Sequence, residues 1–212
     1  MTRIVIFAKA PQPGSVKTRL IPALGADNAA TLARHLLTHT LSQALAADVG
    51  DVELCMSPKP TDPIWHGVAI PAAVLRTAQH RGDLGARMAH AVERATLQTH
   101  CADTSVLLIG TDCPALTASL LQQAAQQLQT HDAVMLPAHD GGYVLLGLKS
   151  PCPELFNDVP WSTSVVAFET LRRMAALNLL VWRGPTLHDI DEPADLQHVP
   201  DLISSFPHPT KA

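Results

Sequence analysis

Aromatic residues are scarce in this chain, at 4% of the sequence. Leu, Val, Ile and Ala must therefore fill whatever core it builds. There is no surplus of positive charge either: 15 Lys and Arg stand against 19 Asp and Glu, for a formal net charge of −4. Broad nucleic-acid binding usually needs a basic face, so that class is set aside. The four cysteines, Cys55, Cys101, Cys113 and Cys152, form no CxxC pair. A zinc knuckle or disulfide framework is excluded by that spacing. Reduced thiols in a cytoplasmic enzyme are the plain reading. Long apolar runs are missing too. Ile4 to Ala8 is broken by Lys9 and Pro11, too soon for a signal-peptide core. No run approaches the roughly 20 apolar residues that span a bilayer. No GxSxG elbow occurs, and no cysteine has a nearby His–Asp context, which disfavours nucleophilic hydrolysis. The 11 histidines are scattered, without HExxH spacing, and read as surface residues.

What is present is the length and patterning of one α/β domain. The 212 residues are 47% hydrophobic and 16% charged, enough for a substantial single core. Ile4–Ala8 is a continuous apolar run of the kind found in strands buried on both faces, Val52–Met56 is a second strand, and Ser105–Ile109 is a third, buried one. Helical spacing marks Asn28–Ala47, the stretch from Leu84 to Ala95, and Ser164–Leu177. Thr117 is placed to cap a further helix carrying Leu120, Leu121, Ala124 and Leu128. Residues 11–25 read as loop, and 57–81 as loop with one short strand near Val74. Ala133–Leu136 and Tyr143–Leu148 are strands flanking a turn at His139–Gly142, and Leu179–Trp182 is a last strand. Strands alternating with helices imply a three-layer sandwich around a mostly parallel sheet, with one antiparallel insertion. The domain is expected over 1–200, with a weakly ordered tail over 201–212.

In open sheets of this class, ligands sit beyond the carboxyl ends of the strands. Three charged clusters fall there. The first is Lys9 to Arg19, immediately after the first strand. Gly14 lets a backbone approach closely, and Lys9, Lys17 and Arg19 supply charge of the kind a di- or triphosphate needs. The segment is not a P-loop, because no glycine directly precedes Lys17. The alternative is a solvated surface loop. The second is Gly110-Thr111-Asp112-Cys113-Pro114. Asp112 could hold a hard cation such as Mg²⁺ or Mn²⁺, or cap the next helix. The third is Asp189-Ile190-Asp191-Glu192-Pro193, where alternation puts both aspartates on one side. Pro193 suits the first turn of a helix, so one of these acids could be its N-cap. Asp140-Gly141-Gly142 is either a plain hairpin turn or a place where a sugar or base approaches the backbone.

These segments, with Gln79 to Met88 and Trp161-Ser162-Thr163, occur in an order that resembles a known family. The chain is similar to bacterial GT-A-type glycosyltransferases of the arsenosugar-biosynthesis-like kind, in the nucleotide-diphospho-sugar transferase superfamily. It also resembles the guanylyltransferases for phospholactate and for the molybdenum cofactor. The resemblance spans roughly residues 3–200. It implies that Lys9, Gly14, Lys17, Thr18 and Arg19 face nucleotide phosphates, and that Asp112 and Asp191 are metal carboxylates. Gln79, Asp83 and Arg87 would close over the donor. Asp140, Gly141, Gly142, Trp161 and Ser162 would line the acceptor or sugar side, with Asp112, Asp191 and Asp140 as the catalytic acids. One departure stands out. GT-A glycosyltransferases usually carry DxD, whereas Thr111-Asp112-Cys113 has one carboxylate, and a single Asp paired with a distant Asp is expected of nucleotidyltransferases.

The reading is therefore a Mg²⁺- or Mn²⁺-dependent transferase taking a nucleoside triphosphate or nucleotide-sugar donor and a small-molecule acceptor. Glycosyl transfer comes first, nucleotidyl transfer with pyrophosphate release second, and a non-catalytic nucleotide-binding module third. Self-association into a homodimer is compatible with it. Nucleic acid and membrane are not expected partners.

Overall fold

The continuous apolar runs become the centre of a seven-stranded sheet. The computed structural model describes residues 1–97 and 104–204. The strands are β1 (Thr2–Lys9), β2 (Val52–Ser57), β3 (Leu75–Ala78), β4 (Ser105–Ile109), β5 (Ala133–Pro137), β6 (Tyr143–Leu148) and β7 (Val181–Arg183). Their order across the sheet is β3-β2-β1-β4-β6-β5-β7. β1 is parallel to β2 and β4, while β6 runs antiparallel to both β4 and β5. The expected antiparallel insertion is thus a single reversed strand entered through the Asp140–Gly142 turn.

Alternation along β1 sends side chains to two different layers. Ile4 and Ile6 join Leu37 and Leu41 of α2 (Ala26–Ala47) and Leu121 and Ala124 of α4 (Ala118–Gln127). Val5 points the other way, onto Met88, Ala91 and Val92 of α3 (Leu84–Leu97) and toward Met174 of α5 (Val166–Ala176). Helices therefore cover both faces, and the chain is one α/β domain. Thr117 caps α4 as expected, its hydroxyl accepting from Leu120 N at 3.4 Å.

Some local expectations are corrected. Residues 11–25 are not all loop: Thr18–Leu20 is a 3₁₀ turn and Ile21–Leu24 a short helix, α1. Pro22 fits its first turn and Gly25 ends it at φ 79°, so the two residues that read as loop punctuation are the helix's own start and stop signals. The helix expected from Ser164 begins at Val166, after an N-cap at Val165 whose backbone, at φ −107° and ψ 2°, is not yet helical. The last strand is shifted to Val181–Arg183. Residues Pro200–Ser204 form a last helix, α6; the rest of the expected tail, and Cys101, lie outside the described residues.

Candidate active site

The sheet order reverses between β1 and β4, since β2 and β3 extend to one side of β1 and all later strands to the other. Loops leaving the carboxyl ends of β1 and β4 diverge there and leave a crevice. The first two charged clusters follow these strands directly. A third cluster of apolar residues brings in the remaining acids. Leu20 and Ile190, both 0% exposed, pack together with Leu24, Leu32 and Leu36. Burying side chains of this size stabilises the arrangement by about 1.5–3 kcal/mol each. Since Arg19 precedes Leu20, and Asp189 and Asp191 flank Ile190, this small core sets the cations against the carboxylates.

Lys17 sits at the centre of the cluster. Its backbone is left-handed, with φ 48° and ψ 40°, which is uncommon for a residue with a side chain. The turn drives its side chain inward, to 4% exposure. The ammonium lies 2.7 Å from Asp112 Oδ1 and 3.5 Å from Asp191 Oδ1, and donates to the Ile190 carbonyl at 2.5 Å. Arg19 donates to the other oxygen of Asp191 at 3.0 Å and is 60% exposed. Asp112 and Asp191 remain 48% and 41% exposed. The carboxylates are thus open to solvent while the lysine holding them is not. Ile190 N in turn donates to the Asp112 carbonyl at 2.8 Å, which locks the two segments together.

The N-cap question after β7 is answered by Glu192, which precedes a 3₁₀ helix over Pro193–His198. Asp195 reaches back to the backbone N–H groups of Asp191 and Glu192, at 3.0 and 2.7 Å. Neither Asp189 nor Asp191 serves as that helix's N-cap. Asp189 makes no ion pair with Lys17; it lines a neighbouring cavity of about 300 Å³ with Asp140, His139 and Arg19. Burial, with the Asp140 charge close by, pushes its carboxyl up to about 6.

A cavity of about 310 Å³ opens on the other side of Lys17, where Lys9, Gln79, Thr111 and Asp112 meet the apolar surface of Phe7, Leu37 and Leu84. Lys9 donates to the Ser15 carbonyl at 2.9 Å and so closes the Gly14 loop on itself; Gly14 has φ 76° with open space around it. Gln79 donates to the carbonyls of Ala8 and Cys55, and Arg87 donates to Gln79 Oε1 at 3.3 Å and to the Gly82 carbonyl. Asp83 accepts from Ala86 N at 2.8 Å and caps the start of α3. Gln79 thus lines this cavity, and Arg87 and Asp83 support its wall. Thr18 is exposed on the 3₁₀ turn.

Asp140 accepts from Gly142 N at 2.7 Å and lines a further cavity, of about 440 Å³, with Gly142, Trp161 and Ser162. Gly141, at φ 92°, plays a different part, since a Cβ there would collide with the carbonyl oxygen of Ser164. The position a Cβ would take is filled by protein backbone. A larger cavity of about 540 Å³ lies at the opposite end of the strands, where β1 and β4 begin, near Thr2, Gln122 and Lys149, and brings no acid–cation cluster with it.

The histidines are not all scattered. His139 and His188 stack with ring centroids 3.8 Å apart, and His188 and His198 at 4.1 Å; His80 stacks on His90 at 4.3 Å. Loss of solvation and its two stacked neighbours hold His188 below the ordinary histidine range. No spacing in the chain signals this column. The Ile190 carbonyl is equally invisible in the sequence, being a backbone group. Burial pushes the Cys113 thiol up to about 11 and raises Cys55, so neither is a ready thiolate.

The donor set at Lys17 can be tested against a hard cation. Two carboxylates and a carbonyl already converge on one positive centre, and all are oxygens, as Mg²⁺ and Mn²⁺ prefer. Among the described residues no three His, Cys, Asp or Glu side chains form a metal cage. Such an ion would therefore complete its shell with phosphate and water, the usual situation for Mg²⁺. The residues fit.

Among solved structures, a protein described as a nucleotide-diphospho-sugar transferase from Desulfovibrio desulfuricans G20 matches with a TM-score of 0.84 and 32% identity, over 96% of each chain. A nucleotidyl transferase from Methanothermobacter thermautotroptrophicus matches at 0.58 and 15% identity, over 96% of this chain and 98% of that one. A manganese complex of Rv0371C from Mycobacterium tuberculosis H37Rv matches at 0.53 and 14%, over the same shares. The last two share the fold. No curated protein sequence matches. Residues 40–163 match the family described as "Uncharacterized protein conserved in bacteria (DUF2064)", and the chain belongs to that family.

Proposed function

We propose that this protein is a metal-dependent transferase that takes a nucleotide-activated donor and passes a glycosyl group from a nucleotide-sugar to a small hydroxylated acceptor. The carrying observation is the convergence of Lys17, Asp112, Asp191 and the Ile190 carbonyl, from three distant segments, at the sheet's switch point. Asp112 and Asp191 would hold Mg²⁺ or Mn²⁺, which when bound neutralises the phosphate charge that develops as the nucleotide departs. Lys9, Lys17 and the Gly14 loop would bind the phosphates, with Thr18 and Arg19 at the outer edge. Gln79, Arg87 and Asp83 would keep the wall of the donor cavity in place, and Phe7, Leu37 and Leu84 would offer apolar surface to the nucleoside. Asp140 faces the cavities with Gly142, Trp161 and Ser162, where its carboxylate would take the proton from an acceptor hydroxyl as that oxygen attacks the anomeric carbon. Asp140, Asp189, Asp191, Glu192 and Asp195 make that side strongly acidic, which suits a neutral or cationic acceptor better than a phosphate. The 32% identity to a protein described as a nucleotide-diphospho-sugar transferase supports the same reading.

Nucleotidyl transfer is the second reading, favoured by the lone Asp112 paired with Asp191 in place of DxD. The test is incubation with Mg²⁺ or Mn²⁺ and a panel of nucleoside triphosphates and nucleotide-sugars. Nucleoside diphosphate release supports glycosyl transfer; pyrophosphate release transfers the assignment to the second reading. Silence with every donor overturns both, and nucleotide binding without turnover leaves the non-catalytic nucleotide-binding module.

A further inference from the structure

The Lys17 ammonium has three donors, and they face three acceptors: Asp112 Oδ1, Asp191 Oδ1 and the Ile190 carbonyl. It therefore has no donor left for a phosphate. The same three oxygens are those suited to a divalent cation. A divalent ion held by these same oxygens would stand against the ammonium already bonded to them, and at that range the two cations repel strongly. That repulsion favours departure of the ammonium. Arg19 holds Asp191 Oδ2 from the opposite side, so Asp191 keeps its orientation when Lys17 moves. The donor cavity lies within reach of the lysine, since Lys17 lines it together with Lys9.

Resting on the metal-dependent reading above, we propose that Lys17 is a built-in counter-ion of the Asp112–Asp191 pair, displaced when the divalent cation arrives and drawn onto the donor's phosphates. The lysine is then an exchangeable plug. Without polyphosphate, its departure leaves an ammonium with no partner in a crowded cationic loop, and the metal binds weakly. With polyphosphate, the ammonium gains new acceptors and the metal gains phosphate ligands. Cation and polyphosphate must then strengthen each other's binding by the same factor, as linkage requires. The sign of the Lys17 effect is the distinctive consequence. A lysine that merely completes the phosphate site weakens everything when removed. A plug, when removed, makes the metal bind better alone.

The experiment is Mn²⁺ titration followed by loss of the free-ion paramagnetic resonance signal, on the full chain, Lys17→Met and Asp112→Asn. Each is titrated alone and with inorganic pyrophosphate, with protein-free controls correcting for the Mn²⁺–pyrophosphate complex. Circular dichroism melting verifies that each variant is folded; if Lys17→Met is not, Lys17→Gln replaces it. The expected result is at least tenfold tighter Mn²⁺ binding by Lys17→Met than by the parent without pyrophosphate. Pyrophosphate should tighten Mn²⁺ binding to the parent at least tenfold, and Lys17→Met by a smaller factor, because only the metal's own phosphate ligands then contribute. Asp112→Asn should lose the site in every condition. If Lys17→Met binds Mn²⁺ no tighter than the parent while Asp112→Asn abolishes binding, the plug is refuted and the metal site stands. If the parent binds no Mn²⁺ with or without pyrophosphate, or Asp112→Asn binds it unchanged, the metal-dependent reading falls and the plug with it.

Discussion

Glu53 meets Arg94 beneath the sheet, and Lys17 meets Asp112 and Asp191 at its rim, and the two clusters divide exposure in opposite ways. Glu53 is 1% exposed, and Arg94 grips it with both terminal nitrogens, one at 2.9 Å, while Thr77 donates its hydroxyl at 2.6 Å. Arg3 stands 3.9 Å away. Acid and base are both enclosed there, so nothing from solvent can replace either partner. At the rim the base is enclosed and the acids are open. A cation arriving from solvent finds carboxylates it can reach, held by a side chain that can leave. The lesson is that partner exposure, and not ion-pair distance, separates a structural charge cluster from an exchangeable one.

The comparison breaks most easily at Arg94. Arg94→Met leaves the Glu53 charge buried with a poorer partner, a loss of about 3–5 kcal/mol. That is a fall of roughly 10 °C in melting temperature for a domain of this size. A melt matching the parent's would mean the sealed cluster is not structural. Asp112→Ala should act the other way round. Metal-dependent nucleotide binding should weaken about a hundredfold, roughly 2.7 kcal/mol, while the melt moves by less than about 3 °C, because its carboxylate is half exposed. Calorimetric titration beside thermal denaturation measures both.

A smaller effect sharpens the rim itself. The Asp189 carboxyl is raised from 3.8 to about 6. Between those values the folded chain keeps a proton the unfolded chain has lost, so stability falls as pH rises through roughly 4 to 6. Above pH 6 the full cost is present. Asp189→Asn removes it and should be more stable than the parent by about 1 kcal/mol at pH 7.5, with little difference at pH 4; the figure is reduced from the full shift because the group is partly solvated. Denaturant unfolding at the two pH values checks it, and an unchanged difference contradicts the burial argument. Smallest of all, His188 should titrate below the ordinary histidine value in NMR, and His139→Ala should bring it back toward that value.

Much of the fold is legible in the sequence. β1 and β4 are built on apolar runs, β2 is apolar but for Glu53, and α2, α3 and α4 repeat their apolar residues at helical spacing, so local pattern and tertiary burial largely agree. β3 and β7 are less clear because both lie at sheet edges with no fully buried residue, where burial writes little into the sequence. For the site, the gathering of charge beyond the strand ends can be read from the order of elements. What cannot be read is that Lys17 turns its ammonium onto the acids. That follows from a left-handed backbone and from the packing of Leu20 against Ile190, and neither leaves a mark on spacing. The stack of His139 on His188 is equally a tertiary feature: His139 N donates to the Leu187 carbonyl at 3.0 Å, which joins residues far apart in the chain.

The most direct test of the account is anomalous diffraction from crystals grown with Mn²⁺ and a nucleoside diphosphate. The account predicts a manganese peak between the carboxylates of Asp112 and Asp191, with the phosphates beside Lys9 and Lys17. Manganese on the His139–His188 column, or nucleotide in the cavity near Thr2, Gln122 and Lys149, would contradict it.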